Sequence, residues 1–368
     1  MVFSQNLLKK TIFRKLNFDF LFLFIIFTLL IYSVIIIWSA ATQNVTIIYN
    51  KIFQIIIGTF ILFITANISP KSYQKYAFYF YIICIFLLVF VNIYGYMSKG
   101  SQRWINLKII QFQPSETLKI AVPLLITQIV NHTGFPIKFK NFCVSLILIA
   151  IPAILIAKQP DLGTACIILL SGFLVLFLAG INWKIILTFI LTLLIFSLIY
   201  WFFFMHDYQK NRILTLFKPD SVSLKAGYHI IQSKIAIGSG GLYGKGWKNG
   251  TQSKLQFLPE PYTDFVFSVI AEEFGLIGVI VLIILYLILI FRGLFIAIQT
   301  NDRFARILIS GLMLTLFFCV FINISMVSGI LPVVGLPLPL ISYGGSSLVT
   351  LMAEFGIIMS LYSHKNKL

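Results

Sequence analysis

Apolar residues in this chain fall in long, nearly unbroken runs, not in the i, i+3, i+4 stripe of a helix with one wet face. Ten runs suit a bilayer core of ~30 Å. They cover residues 18–38, 47–67, 76–96, 113–131, 142–157, 163–180, 184–205, 264–291, 303–327 and 345–362. The fifth and sixth are short and need tilt or local thinning to span. The pattern predicts an all-α integral membrane protein with ten transmembrane helices, forming a single polytopic domain over residues 1–368. One long hydrophilic stretch, 206–263, separates the seventh and eighth runs and reads as a large loop. Its part "YHIIQSKIAIGS", Tyr228–Ser239, is amphipathic and is expected to lie along the membrane surface.

Polar residues between the runs orient the chain. Ten spans put both termini on one side, where Lys9, Lys10, Arg14, Lys15, Lys71, Lys75, Lys138, Lys140, Lys184, Arg292, Arg303, Arg306, Lys365 and Lys367 also fall. The positive-inside rule makes that side cytoplasmic. The opposite loops 39–46 and 328–344 hold no Lys or Arg. Loop 97–112 departs from the rule with Lys99, Arg103 and Lys108, which flags a function there. Segment 206–263 carries eight basic residues outside, but a loop of that length translocates regardless of charge. The first run exceeds a signal-peptide core of ~7–15 residues, so it is expected to stay as a span.

Composition narrows the classes. A mean hydropathy of +0.98 with 11% charged residues excludes an ordinary soluble domain, in which about a quarter are charged. The net charge of +17 is scattered between apolar runs, with no basic arm interleaved with aromatics. That distribution serves topology and anionic lipid headgroups, not nucleic acid. Cys84, Cys143, Cys166 and Cys319 lie in or beside apolar runs without metal-ligand spacing and read as packing residues. No cofactor is identifiable from spacing, and a divalent cation stays open. "SGGLYGKGW" fails as a phosphate loop, because Ser239 stands where Gly is required and Gly246 follows Lys245. Its glycines suit a flexible outer turn.

Ionisable groups at membrane depth are costly and tend to face a cavity or a partner. Glu116 and Lys119, three residues apart, are equally a self-contained ion pair and a functional pair. Asp161 in "KQPDLGT" divides evenly between capping a helix and serving a site. Glu354 reads as a structural hydrogen-bonding residue. The stretch "FLPEPYTDFVFSVIAEEFG", 257–275, concentrates Glu260, Asp264, Glu272 and Glu273 in a chain with eleven acidic residues. Thr263 or Asp264 is placed to cap the eighth span. Glu272 would then lie ~12 Å deeper along the helix and Glu273 on its far face. That separation cannot supply the ~5–5.5 Å carboxylate pair of a retaining glycosidase. Asp264 is left as the candidate base at the outer mouth, with the two glutamates as scaffold.

"GSQRWINL" (100–107), "QPSETLK" (113–119), "KQPDLGTA" (158–165), "YHIIQSKIAIGSGGLYGKGWKNGTQSKLQFLPE" (228–260), "TDFVFSVIAEEFG" (263–275) and "LPVVGLPLPLISYGGSS" (331–347) are similar to the SEDS family of bacterial cell-wall proteins. The resemblance runs nearly end to end and is closer to the rod-shape branch than to the division branch. It implies a ten-span peptidoglycan glycosyltransferase of the bacterial inner (cytoplasmic) membrane. Such a protein polymerises lipid II alongside a class B penicillin-binding protein and other elongation-complex proteins. The family's essential acid matches Asp264, and Arg103, Glu116, Lys119 and Asp161 occupy positions around its substrate cavity. Pro261 and Tyr262 stand where the family often has a basic residue and His, and Glu354 where a small residue is common.

The implied chemistry suits these residues. A lipid diphosphate leaves readily when cations such as Arg103 and Lys119 meet its charge. One base, Asp264, takes the acceptor hydroxyl's proton, giving inversion from an α-linked donor to a β-linked strand. Two rivals remain. A lipid II flippase would also use intramembrane charges, though no paired broken helices mark an inverted repeat. A non-catalytic scaffold would explain the outer loop but not an acid at its base.

Overall fold

The computed structural model describes residues 18–41, 44–98, 101–106, 111–133, 137–181, 183–203, 205, 210, 224–255, 257–258 and 261–364. Expectations for Lys9, Lys10, Arg14, Lys15, Lys99, Lys108, Arg212, Lys218, Glu260, Lys365 and Lys367 lie outside the described residues. The apolar runs are helical because only a helix satisfies its own backbone groups in lipid. Helices α1 (Phe20–Ala40), α2 (Val45–Asn67) and α3 (Pro70–Tyr94) follow one another through tight connections. Each begins at a side-chain cap: Asp19, Asn44 and Ser69 accept from the first-turn amides of Phe22, Thr46 and Ser72. Asp19 also takes Arg292 Nη2 at 2.6 Å.

After α3 the chain departs from the all-α expectation. Strands β1 (Tyr96–Ser98), β2 (Ser101–Asn106) and β3 (Gln111–Phe112) form a small antiparallel sheet in the order β1-β2-β3. Tyr96 pairs with Trp104 and Ile105 with Phe112. These strands are too short for a two-residue period to stand out beside the long apolar runs.

Helices α4 (Pro114–Thr133), α5 (Phe139–Ala157), α6 (Leu162–Leu178) and α7 (Trp183–Phe203) come next. The outer segment contributes α8 (Leu224–Ser239) and the single turn α9 (Thr251–Lys254). Then follow α10 (Val266–Gln299), α11 (Arg303–Val327) and α12 (Gly345–Ser363). Among the described residues, seven of these are long and apolar enough to cross a membrane, namely α1, α2, α3, α5, α10, α11 and α12, while α6 is apolar but shorter. One core joins α1, α10, α11 and α12 around Phe22, Tyr286, Leu312 and Phe355. A second joins α3 to α6 around Leu88, Leu125, Ile149 and Val175. Phe24, Ile31, Phe60, Phe86 and Phe291 point outward and are exposed, as lipid-facing residues are.

Two outer features differ from the sequence reading. Helix α8 does not simply rest on a membrane surface. Ser233 Oγ donates to Val327 O at 2.5 Å and meets Ser268 Oγ at 2.8 Å, and Ala236 is fully buried. The glycines of 240–246 are not a loose turn either. Helix α10 is broken at Gly275 (φ 63, ψ −160), and the loop's backbone docks against the break. Lys245 N donates to Glu272 O at 2.9 Å, Gly246 N to Glu273 O at 3.0 Å, and Leu276 N to Gly241 O at 3.0 Å. A Cβ on Gly244 would lie 2.2 Å from Glu273 O, so only a residue without a side chain permits this approach.

Candidate active site

A cavity of about 740 Å³ opens between α2, the β2–β3 ribbon, the N-terminal turns of α4 and α6, the turn before α10 and the 328–344 loop. Arg103, Glu116, Asp161 and Asp264 all line it. Four positions scattered over more than 160 residues of sequence are thus brought to one space. Lys119 is not among the lining residues; it sits one turn along α4 and is held by Glu116.

Asp264 lies in the turn 261–265, ahead of α10. The helix begins at Val266, its N-cap is Phe265, and no side chain caps it, which corrects the expectation that Thr263 or Asp264 would do so. The turn's backbone is pinned from the 328–344 loop and the end of α11. Asn323 Nδ2 donates to Asp264 O at 3.1 Å and to Leu336 O at 2.6 Å. Ser342 Oγ donates to Thr263 O at 2.5 Å, and Tyr343 N donates to Tyr262 O at 2.8 Å. That loop is anchored by Lys51, fully buried in α2. Its Nζ donates to Leu340 O at 3.1 Å, Ile341 O at 3.4 Å and Ser342 O at 2.9 Å. The Tyr286 hydroxyl donates to Pro339 O. Leu340 is held at φ 65, a conformation unfavourable for a branched side chain and retained because these bonds over-determine it.

Asp161 both caps and lines. Its Oδ1 accepts from Thr164 N at 3.2 Å at the start of α6, while its Oδ2 faces Gln113 Nε2 at 3.3 Å and Arg103 Nη1 at 3.4 Å. Arg103 is fixed further by Nε to Gln159 O at 3.2 Å and Nη2 to Pro160 O at 2.6 Å. Glu116 and Lys119 pair at 2.8 Å. One cation, Arg103, thus lines the cavity among the described residues against the three carboxylates Glu116, Asp161 and Asp264, and it is already matched to one of them. No cluster of three metal-ligating side chains occurs among the described residues.

Glu272 and Glu273 work on the scaffold, though not by the route of one straight helix. Glu272 is fully buried and gathers the outer segment: Thr251 N at 2.8 Å, Thr251 Oγ1 at 2.9 Å, Gln252 N at 3.1 Å and Lys245 Nζ at 2.8 Å all reach its Oε1. Glu273 Oε1 accepts from Ser39 Oγ at the end of α1. Lys248 Nζ sits 4.4 Å from the Trp247 ring centroid and 5.5 Å from that of Trp38. Lys245 and Lys248 are therefore engaged within the chain.

Glu354 is buried, and its Oε1 has no hydrogen-bond partner among the described residues, which do not supply the hydrogen-bonding role expected from sequence at that oxygen. Tyr262 packs edge-on against Tyr343, with centroids 5.9 Å apart, where the family resemblance led one to expect charge. Sequence reasoning did not single out Lys51, Asn323, Ser342, Gln113 or the Gly344–Ser347 turn. The motif "LPVVGLPLPLISYGGSS" contained two of these without indicating their partners.

Several known proteins are similar to this chain in sequence and shape. The peptidoglycan glycosyltransferase MrdB of Escherichia coli K12 is 53% identical over 365 residues, covering 99% of each chain. That of Helicobacter pylori 26695 is 38% identical over 357 residues, covering 95% of this chain and 91% of the other. A chain solved in a peptidoglycan synthase complex that coordinates polymerization and crosslinking superposes with a TM-score of 0.85 at 27% identity, covering 96% and 99%. The rod shape determining protein RodA of Thermus thermophilus gives 0.74 at 26% identity with the same coverage. With residues 14–367 matching its profile, the chain belongs to the FtsW/RodA/SpoVE family of cell cycle proteins.

Proposed function

We propose that this protein is a peptidoglycan glycosyltransferase that polymerises lipid II into β-(1→4)-linked glycan for cell-wall elongation, with Asp264 as its base. The observation that carries the reading is a carboxylate that does not cap its own helix, lines a polar cavity and is seated on a multiply hydrogen-bonded turn. A base must be held in register with the proton it takes, and such a seat supplies that. The acceptor hydroxyl loses its proton to Asp264 as its oxygen bonds the donor's anomeric carbon. The bond from that carbon to the lipid diphosphate breaks with its electron pair, so configuration inverts. Arg103 and Asp161 brace one cavity wall, where they orient the donor sugar, and Glu116, held by Lys119 from behind the lining, faces the same space.

The protein crosses the bacterial inner membrane ten times, with α4, α6 and α7 joining the seven clearly apolar helices. Both termini are cytoplasmic, segment 206–263 is outside, and the partner is a class B penicillin-binding protein that cross-links the new strand. The likeness to a chain from a synthase complex that coordinates polymerization and crosslinking supports that pairing.

The test is a lipid II polymerisation assay on purified protein with and without its transpeptidase. Asp264→Asn is expected to lower the rate ~10²–10⁴-fold while folding and partner binding persist. A stable Asp264→Asn protein that polymerises at the wild-type rate refutes the assignment. Movement of lipid II across vesicles independent of Asp264 would put the transport reading in its place.

A further inference from the structure

We propose that the open N-terminus of α12, residues Gly344–Ser347, is the seat of the diphosphate of a lipid-linked sugar donor. The proposal rests on the glycosyltransferase reading and adds a subsite to it. Charge makes the question acute. A diphosphate brings at least two negative charges into a cavity with three carboxylates, and its lining cation Arg103 is matched to Asp161. Lys119 is taken by Glu116. Neutral donors must therefore meet much of that charge.

Helix α12 provides them. Gly344 is its N-cap and supplies no capping side chain, in contrast to Asp161 at the start of α6 on the same cavity. The amides of Gly345, Ser346 and Ser347 have no acceptor among the described residues, yet all three residues line the cavity. A 19-residue helix presents here the positive end of its dipole with first-turn N–H groups unsatisfied, the arrangement that binds phosphate. Glycine at 344 and 345 adds no side chain of its own over these amides, and the Gln54 amide stands 3.1 Å from where a Cβ of residue 345 would lie.

Two hydroxyls on buried residues point to a ligand independently of the helix end. Ser346 and Thr164 are 4% and 3% exposed, line the cavity, and their hydroxyls make no hydrogen bond to another described residue. The residues are buried but their oxygens are not sealed off, so both hydroxyls are open to the cavity and can donate to a ligand rich in acceptor oxygens. The seat is also coupled to the base. Tyr343, next to Gly344, donates its N–H to Tyr262 O, two residues before Asp264. As the anomeric carbon–oxygen bond breaks, charge builds on the diphosphate, and these donors strengthen at that moment.

The variant Gly344→Asp tests the seat. Aspartate is a preferred N-cap, so it would bond the open amides itself and repel an anion without harming the helix. Its Cβ would lie 2.6 Å from Ser347 Oγ, a hydroxyl that can rotate away. Gly344→Asn caps without charge, and Ser346→Ala removes one hydroxyl. Binding of a polyprenyl diphosphate, a polyprenyl monophosphate and inorganic pyrophosphate is measured on full-length protein in nanodiscs. Wild-type protein is expected to prefer the diphosphate lipid over the monophosphate. Gly344→Asp should weaken diphosphate binding ~10–100-fold, the loss of charge-assisted hydrogen bonds. Its melting temperature should not fall, Gly344→Asn should weaken binding less, and Ser346→Ala less again. Asp264→Asn should bind like wild type while failing to polymerise. Pyrophosphate competing in the wild type but not in Gly344→Asp supports the seat; equal competition overturns it. Unchanged diphosphate binding in Gly344→Asp, or in both Gly344→Asn and Ser346→Ala should the first variant misfold, also overturns it. Wild-type protein that binds no diphosphate lipid sinks the glycosyltransferase reading itself.

Discussion

Glu272→Gln separates scaffold from chemistry within two neighbouring acids of one motif. The carboxylate takes Thr251 N, Thr251 Oγ1, Gln252 N and Lys245 Nζ within 2.8–3.1 Å and is fully buried. An amide keeps the shape but not the charge. Each of the three bonds from Thr251 and Gln252 drops from ~1.5–3 kcal/mol to the ~0.5–1.5 of a neutral bond, a loss of about 3 kcal/mol together. The Lys245 side chain is 28% exposed, so solvent screens its ion pair and the added loss is held to ~1 kcal/mol. The new NH₂ group must also face either the Gln252 amide or the Lys245 ammonium, both donors. The sum, about 3–4 kcal/mol, is concentrated where segment 240–254 docks on the break in α10. The expected outcome is a melting temperature lowered by several degrees in detergent, with lipid II polymerisation retained well below that temperature. An unchanged melting curve would refute the hub. Lost polymerisation with an unchanged curve would place Glu272 in the chemistry.

Lys51→Met should leave the carbonyls of Leu340, Ile341 and Ser342 without their donor, at ~1–3 kcal/mol each before the offset from no longer burying an ammonium. Both the melting temperature and kcat should fall while KM holds, and a variant unchanged in both would show that the loop needs no such anchor. For topology, single cysteines at positions 71 and 138 in a cysteine-free background should react only with membrane-permeant reagents. Labelling from outside at either position would overturn the ten-span orientation.

The helices were legible in the sequence because a lipid environment leaves the backbone little alternative to helix, so composition and run length alone mark the spans. Asp264 could be set apart because it lies where the polar outer segment meets an apolar run. What sequence could not supply was which polar groups meet. Asp161 reads as a cap or a site residue until Arg103 on β2 and Gln113 beside α4 are seen to converge on its second oxygen. Lys51 looks like a misplaced charge in α2 until a turn nearly 290 residues away brings it three carbonyls. The glycines at 240 and 244 read as a loose turn because their reason, a broken helix pressed against their backbone, lies some thirty residues on at Gly275. Local pattern follows from the solvent each segment must face. The seat of the acid and the open end of α12 are set by hydrogen bonds between distant segments, and those exist only once the bundle has closed.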